Sequence, residues 1–473
     1  MNTDIQIDTE AGGGRRDQIY RQLRAAILDG RLADGEPLPP TRELARRLSV
    51  SRNTVSSAYD LLAAEGFLRA RTGAGTFVRA GAAWERRPRS EQRARLAVNE
   101  VWDALPPPPA AFETSFEFDF RAGIPDLARF PFDTWRRLSS EQLRASNAEV
   151  LTYGDPAGDP ALCAAITRHV GVSRGLTVDP DDVVVTNGAQ QAFDLVARVL
   201  LRPGDTVAVE DPGYPPPRLI FATHGMRVVG VPVDEEGIVV DAIPAGTRLV
   251  FVTPSHQCPL GTAMSLGRRL ELIAWARRVD GVIVEDDYDS EFRYGGRPLE
   301  PVHSLDDDGR VCYVSSFSKL LFPALRLGFL IVPASVRAPV RKAKQLTDWH
   351  SDGPAQATLA RFMADGGFAR HVKRMRRAYH ERHDLVAEIL RDEFAGMLAP
   401  VPSAAGLHVS ALGAAGEDFV REARAAGIRL YTVESMAVGE PAVTGLIFGY
   451  GAIRPERIGP GMRRVRDLLR KRG

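Results

Sequence analysis

The chain has 473 residues, 44% hydrophobic and 26% charged, with a formal net charge of +1. That length exceeds one ordinary domain of ~100–200 residues, and the composition excludes a disordered chain or a uniformly basic one. Cys163, Cys258 and Cys312 form no C-x-x-C pair, the first 18 residues are polar, and no apolar run approaches the ~20 residues of a membrane span. A disulfide framework, a signal peptide and a membrane helix are therefore not expected, and a cytoplasmic location is.

Residues 15–80 carry 12 arginines against 7 acids, so they are locally basic at net +5. "RDQIYRQLRAAILDG" places Ile19, Leu23, Ala26 and Ile27 on one helical face. A loop follows, then the short helix "TRELARRL", the turn "SVS" and the helix "RNTVSSAYDLLAAEG". In that last helix Val55, Tyr59 and Leu62 recur at core spacing, so Arg52, Asn53 and Ser56 face outward near its start. This is how a helix-turn-helix presents a recognition helix to the major groove, where arginine reads guanine and asparagine reads adenine. "FLRARTGAGTFV" reads as two short strands around a glycine-rich tip, with Thr72, Gly73, Gly75 and Thr76 able to bring backbone amides to phosphate.

These stretches resemble the winged-helix domain of the GntR family of regulators, along "YRQLRAAILDGRL", "LPPTRELARRLSVSRNTVSSAYDLLAAEGFL" and "RTGAGTFV". The resemblance implies that Arg42, Arg52, Asn53, Thr54 and Gly75 touch operator DNA. It departs at Pro40, where the family has a serine that caps the second helix. Proline has no side-chain acceptor, so that helix should start less well capped.

Residues 81–116 read as a linker, arginine-rich first and then "LPPPPAAF", in which four prolines make an extended spacer. From residue 117 to 473, apolar runs alternate with helical patterns such as "GRRLELIAWARRV". The runs are "DVVVT" (182–186), "TVAVE" (206–210), "RLVFVT" (248–253), "GVIVED" (281–286) and "VCYVSS" (311–316). Consecutive apolar positions suit strands covered on both faces, so this region is expected to be α/β, with a mainly parallel sheet and a smaller C-terminal lobe. His380 and His383 in "HERH" lie in a long charged helical pattern and read as a solvated helix face, so no metal site is expected.

Ligands of open α/β sheets bind at the carboxyl ends of strands, so the loops after those runs are the place to look for chemistry. "TNGAQQAF" offers Gly188 and a helix start, which favours a phosphate. "EDPGYPPPR" offers Tyr214, an aromatic able to stack on a flat ring or to pack. "IVEDDYDSEF" places acids just beyond a buried strand, where carboxylates need partners or a function. "SSFSKLLFPALRLG" offers Lys319, with Ser316, Ser318 and Arg326 as phosphate donors. A lysine in an apolar pocket loses basicity and becomes a nucleophile able to form a Schiff base. Together the four loops match what pyridoxal phosphate requires.

At these loops, and at "FRAGIPDLARFPFDTW", "LTYGDPAGDPALCAAI" and "TPSHQCPLG", residues 117–473 resemble a fold-type-I, class I/II aminotransferase domain. With residues 15–80, nearly the whole chain is similar to the MocR-type regulators of the GntR family. The resemblance implies that Lys319 forms an internal aldimine, Asp286 pairs with the pyridine nitrogen, Tyr288 bonds the ring hydroxyl and Tyr214 stacks on the ring. It implies that Gly188, Ala189, Gln190, Ser316, Ser318 and Arg326 hold the phosphate, with Tyr153 reaching it from the partner of a homodimer. Gly123 would lie by the substrate loop.

Two departures bear on activity. The asparagine that aminotransferases place before a proline to bond the ring hydroxyl is Cys258 here, with His256 and Gln257 both beside it. The C-terminal arginine that clamps a substrate carboxylate is absent from "TGLIFGYGAI", the first arginine being Arg454. The expected function is a DNA-binding regulator whose cofactor-bearing domain senses an amine, an amino acid or the cofactor itself, through aldimine exchange at Lys319. The alternative is an aminotransferase with an accessory DNA-binding module.

Overall fold

The computed structural model describes residues 14–71, 73–79, 97–107, 116–295 and 299–472. Thr72 and most of the expected linker lie outside them. The chain divides into two compact units, Met1–Val98 and Asn99–Gly473.

In the first unit, α1 (Arg15–Leu28) buries Ile19, Leu23, Ala26 and Ile27 as their spacing requires. α2 (Thr41–Arg47) starts at Pro40 without a side-chain cap. α3 (Arg52–Ala64) is capped properly, since Ser51 Oγ accepts from the Thr54 amide at 3.1 Å. Ser49, at φ +54°, makes the turn between α2 and α3 tight. Val55, Ala58, Tyr59 and Leu62 seat α3 in the core, and the Tyr59 hydroxyl donates to Pro39 O at 2.9 Å. Strands β1 (Leu68–Arg71) and β2 (Gly75–Val78) pair antiparallel as the wing.

The second unit is built on an eight-stranded sheet. A short strand β3 (Phe118–Asp119) precedes it. The sheet strands are β4 (Val183–Thr186), β5 (Thr206–Asp211), β6 (Arg227–Asp234), β7 (Gly237–Ile238), β8 (Thr247–Val252), β9 (Val282–Asp286), β10 (Val311–Ser316) and β11 (Gly328–Ile331). Their order is β4-β11-β10-β9-β8-β5-β6-β7. The pairs β10–β9, β9–β8, β8–β5 and β5–β6 are parallel, and β11 runs antiparallel to both β10 and β4. β4 therefore points the same way as β10. All residues of β4, β10 and β11 are buried, which is why their sequences are continuous apolar runs rather than alternating ones.

The C-terminal lobe holds a second sheet. It comprises β12 (Ala399–Pro400), β13 (His408–Leu412), β15 (Tyr431–Thr432) and β16 (Gly445–Gly449) in the order β12-β13-β16-β15, all antiparallel. β14 (Ile428–Arg429) pairs instead with β3 in parallel, tying the start of the unit to its end. The long helix Gly367–Glu393 leads from the large sheet's layer into this lobe.

Candidate cofactor and DNA sites

The carboxyl ends of β4, β5, β8, β9 and β10 open on one edge of the sheet, and the expected loops meet there. Lys319 follows β10 by three residues, and its Nζ donates to Gly123 O at 2.8 Å. Burial holds this amine below its usual range, against the pull of Asp289, Cys258 and Asp286. Gly123 is at φ +72°, a left-handed backbone that favours glycine, and a Cβ there would displace Lys319 Nζ, 2.8 Å away.

Asp286, the last residue of β9, is 3% exposed. Its Oδ1 is buried with no hydrogen-bond partner among the described residues. Burial drives its pKa well above the usual carboxylate range, with Asp287 adding to the rise and Lys319 opposing it. A carboxylate oxygen left so is costly unless something pairs with it. Tyr214 caps the helix Pro215–Thr223, and its phenol is pushed up first by burial and then by Asp286 and Cys258. The Tyr288 hydroxyl donates to His256 O at 2.9 Å and lies 3.0 Å from His256 Nδ1.

A second cradle lies at the start of the helix Ala189–Leu200. Gly188 precedes it at φ +75°, ψ 175°, a conformation essentially reserved for glycine. The first-turn amides of the helix, including those of Ala189 and Gln190, point out of it without intrahelical partners. Arg326 is exposed, adopts the left-handed conformation at φ +51°, and donates from Nη2 to Asn187 O at 2.8 Å. Its guanidinium fills the space a Gly188 side chain would need, with Nη2 at 2.8 Å from such a Cβ. Ser316 and Ser318 complete the rim, Oγ to Oγ at 2.9 Å.

Some residues of this cradle carried no signal in the sequence. Gly328 on β11 sits between Thr186 and Ser316, and any Cβ there would meet Gly188 C at 3.0 Å and Ser315 O at 2.9 Å. It is what lets the two phosphate-side loops touch. Asn187 is fixed by Asp348, which also takes Gln191 at 2.7 Å and Lys344 at 2.6 Å. Tyr153 is not brought to the cradle by its own chain. It is 80% exposed and leans on Trp349 with ring centroids 5.0 Å apart.

The residues fit pyridoxal phosphate. An anion cradle of helix amides, Arg326 and two serines stands beside an amine of lowered basicity and an unpaired buried carboxylate suited to a ring N–H. The two departures also persist. The amide of Gln257 is spent on Pro212 O, Cys258 O and the Leu260 amide. Arg454 is exposed at the start of the helix Pro455–Arg470. The buried Arg382 near that stretch is committed to Tyr450 O, Gly451 O and Asp126. His380 stacks on Tyr294 at 5.1 Å, and His383 Nε2 is 3.0 Å from Ser403 O. No group of three or more His, Cys, Asp or Glu among the described residues is arranged to hold a metal ion.

On the first unit, Arg42, Arg52 and Asn53 are exposed, with Arg52 Nε 3.4 Å from Thr41 Oγ1. Thr54 is half-buried, and its hydroxyl is 2.8 Å from Ser51 Oγ, so it serves the helix cap. Gly75, at φ +108°, opens the second wing strand.

Residues 15–78 match the family described as bacterial regulatory proteins, gntR family, and residues 118–441 match aminotransferase class I and II. The chain is 37% identical to the probable rhizopine catabolism regulatory protein MocR of Rhizobium meliloti, over 98% of this chain and 96% of that one. It belongs to the MocR-type regulators of the GntR family. It is also 32% identical to the pyridoxine biosynthesis transcriptional regulator PdxR of Corynebacterium glutamicum, over 92% of this chain and 91% of that one. Among solved structures, it resembles a kynurenine aminotransferase of Pyrococcus horikoshii at TM-score 0.71 and 26% identity, covering 80% of this chain and 95% of that one. An α-aminoadipate aminotransferase of Thermus thermophilus, bound to a phosphopyridoxyl-leucine, gives 0.69 and 26%, covering 75% and 92%. The MocR-type chain is thus a DNA-binding transcription regulator with a fold-type-I, pyridoxal-phosphate type of domain.

Proposed function

We propose that the second unit uses pyridoxal phosphate, held through Lys319, to sense an amine-bearing small molecule, and that a homodimer conveys the result to operator DNA. The observation that carries this reading is the buried, unpartnered Oδ1 of Asp286 on the sheet edge that also holds Lys319. When bound, the cofactor supplies reversible exchange of one amine for another at its carbonyl carbon. The chain's own part is to hold and orient. Asp286 would take the ring nitrogen, Tyr214 the ring face, Tyr288 the ring oxygen, and Gly188, Ala189, Gln190, Ser316, Ser318 and Arg326 the phosphate. Tyr153, exposed in one chain, would reach the phosphate of the partner subunit.

The missing carboxylate clamp favours sensing over turnover. A bidentate arginine orients a substrate strongly, and Arg382, the arginine that bonds Tyr450 O, is already committed to Tyr450 O, Gly451 O and Asp126. A ligand shifts DNA affinity only by its differential binding to two states of the dimer, so slow or absent turnover is no handicap to a sensor. On the first unit, Arg42, Arg52, Asn53 and Gly75 would contact DNA, whereas Thr54 would act mainly through the cap. The relatives' names point to different regulated processes, rhizopine catabolism in one and pyridoxine biosynthesis in another, so the ligand is not carried over from them.

The test is the visible absorption of the purified chain with added pyridoxal phosphate, its fixation by borohydride, and the same in Lys319→Ala. Absorption in the wild type, lost in the variant, is expected. Sustained turnover with amino donor and keto acid would replace this reading with the aminotransferase one.

A further inference from the structure

The asparagine missing at Cys258 leaves one question at the site: what steers a proton to the ring oxygen. A thiol is a weak donor, and the amide of Gln257 is already bonded to Pro212 O, Cys258 O and the Leu260 amide. Tyr288 is the remaining donor, and its hydroxyl has one proton. In the structure that proton goes to His256 O, at 2.9 Å, rather than into the site.

His256 is 2% exposed and sits behind Tyr288. Its Nδ1 is 3.0 Å from the Tyr288 oxygen and 3.1 Å from Asp289 Oδ2. An ionised carboxylate only accepts, so Asp289 favours the tautomer with a proton on Nδ1, from where it is also within reach of the Tyr288 oxygen. Nε2 is then an acceptor, 3.3 Å from the Ser403 hydroxyl. Two glycines pack closely against the ring. Gly406 is at φ +86°, and a Cβ there would collide with His256 Cε1 and Nδ1; one on Gly261 would stand 3.2 Å from Nε2. The other titratable group facing it is His408 of β13, with centroids 4.8 Å apart. Burial pushes His408 down to about 3, so it presents no charge.

We propose that His256 replaces the missing asparagine at one remove. Held by Asp289, its Nδ1–H donates to the Tyr288 oxygen and so turns the tyrosine's single proton away from His256 O and onto the phenolic oxygen of the bound ring. His256 is a positioning residue acting through Tyr288. The inference rests on the cofactor reading above and adds a path Ser403–His256–Tyr288, with Asp289 holding His256 from the side, that joins the ring oxygen to a loop of the C-terminal lobe.

The experiment is a pH titration of the visible absorption of the full-length, cofactor-loaded chain. A donor to the ring oxygen stabilises its ionised form, so losing it raises the pH midpoint of the Lys319 linkage. Tyr288→Phe is expected to raise that midpoint by about 1–2 pH units. His256→Asn keeps an amide donor near the place of Nδ1, whereas His256→Gln moves it to the place of Nε2. The expected result is a near-wild-type midpoint for the first and a Phe-like rise for the second, with no added effect of His256→Gln in a Tyr288→Phe background. Equal midpoints for the two His256 variants overturn the inference, as does a His256→Gln shift that persists without the tyrosine hydroxyl. Both findings leave the cofactor reading intact, whereas a wild-type chain with no visible band overturns both.

Discussion

A side chain kept for a ligand should be a liability without it, and Asp286 makes that testable. Its carboxylate is 3% exposed, one oxygen has no partner among the described residues, and burial drives its pKa well above the usual range. An unsatisfied buried polar group costs about 1–3 kcal/mol. Asp286→Asn leaves a polar group there but removes the ionisable one at nearly constant volume, so the cofactor-free chain should gain stability over wild type as pH rises. The sign with pH follows from linkage. An acid whose folded pKa lies above its unfolded value binds more protons when folded, so stability falls as pH rises above the unfolded value. The wild-type advantage of low pH should therefore shrink in Asp286→Asn. With pyridoxal phosphate present the order reverses. On the proposed reading the carboxylate would gain a charge-assisted bond to the ring nitrogen worth about 1.5–3 kcal/mol, and the variant should bind the cofactor roughly 10–150-fold more weakly. Thermal unfolding with and without cofactor at two pH values, plus a spectral titration, reads all three effects. A variant that is less stable without cofactor and binds it as tightly as wild type would refute the argument.

Three further outcomes are expected. Gly188→Ala forces a side chain into a backbone region costing about 1–3 kcal/mol and pushes the Arg326 guanidinium aside. Its cofactor affinity should fall at least tenfold in the same titration, while operator binding by the first unit survives. Arg52→Ala should lose about 1–3 kcal/mol of operator affinity if it reads a base, relax discrimination in a mobility-shift assay, and keep the cofactor spectrum. A collapsed spectrum would make Arg52 structural instead. Glu210 and Glu285 are both pushed up by burial to about 7. Each costs stability on the order of 3 kcal/mol once pH exceeds its folded value. Glu210→Gln should therefore outlast wild type in urea at pH 8 and match it near pH 5, and equal curves at both pH values would contradict the burial argument.

Much of the fold was legible because burial leaves a mark on sequence. Five apolar runs appear as β4, β5, β8, β9 and β10, within a residue or two at each end. β11 was missed as a sheet strand. "GFLI" is buried on every residue, and such a run reads alike whether it pairs parallel or antiparallel. Its direction matters, because it brings Gly328 between Ser316 and Gly188. The weak start of α2 was legible at Pro40, since proline lacks the acceptor whatever its surroundings. The tie of Asn187 to Asp348 was not, because 161 residues separate them.

The acidic run "EDDYD" shows where sequence reasoning stops and geometry takes over. Four acids follow one another around the end of β9, and nothing in their order says which is free. Strand alternation sorts the first three, because residues two apart share a face. Glu285 accepts from the Val302 and His303 amides at 3.0 and 2.9 Å, and Asp287 pairs with Arg174 at 2.7 Å and with the Tyr313 hydroxyl at 2.5 Å. Asp286, between them, points the other way, toward the edge that carries Lys319. Asp289 lies beyond the strand and is held by His256. Glu285, Asp287 and Asp289 thus each pair at least one oxygen inside the protein, although the Oδ1 of Asp287 and of Asp289, like that of Asp286, has no hydrogen-bond partner among the described residues; for Asp286 the ring nitrogen is the partner proposed above. That division, rather than the presence of acids, separates a cofactor site from a solvated turn.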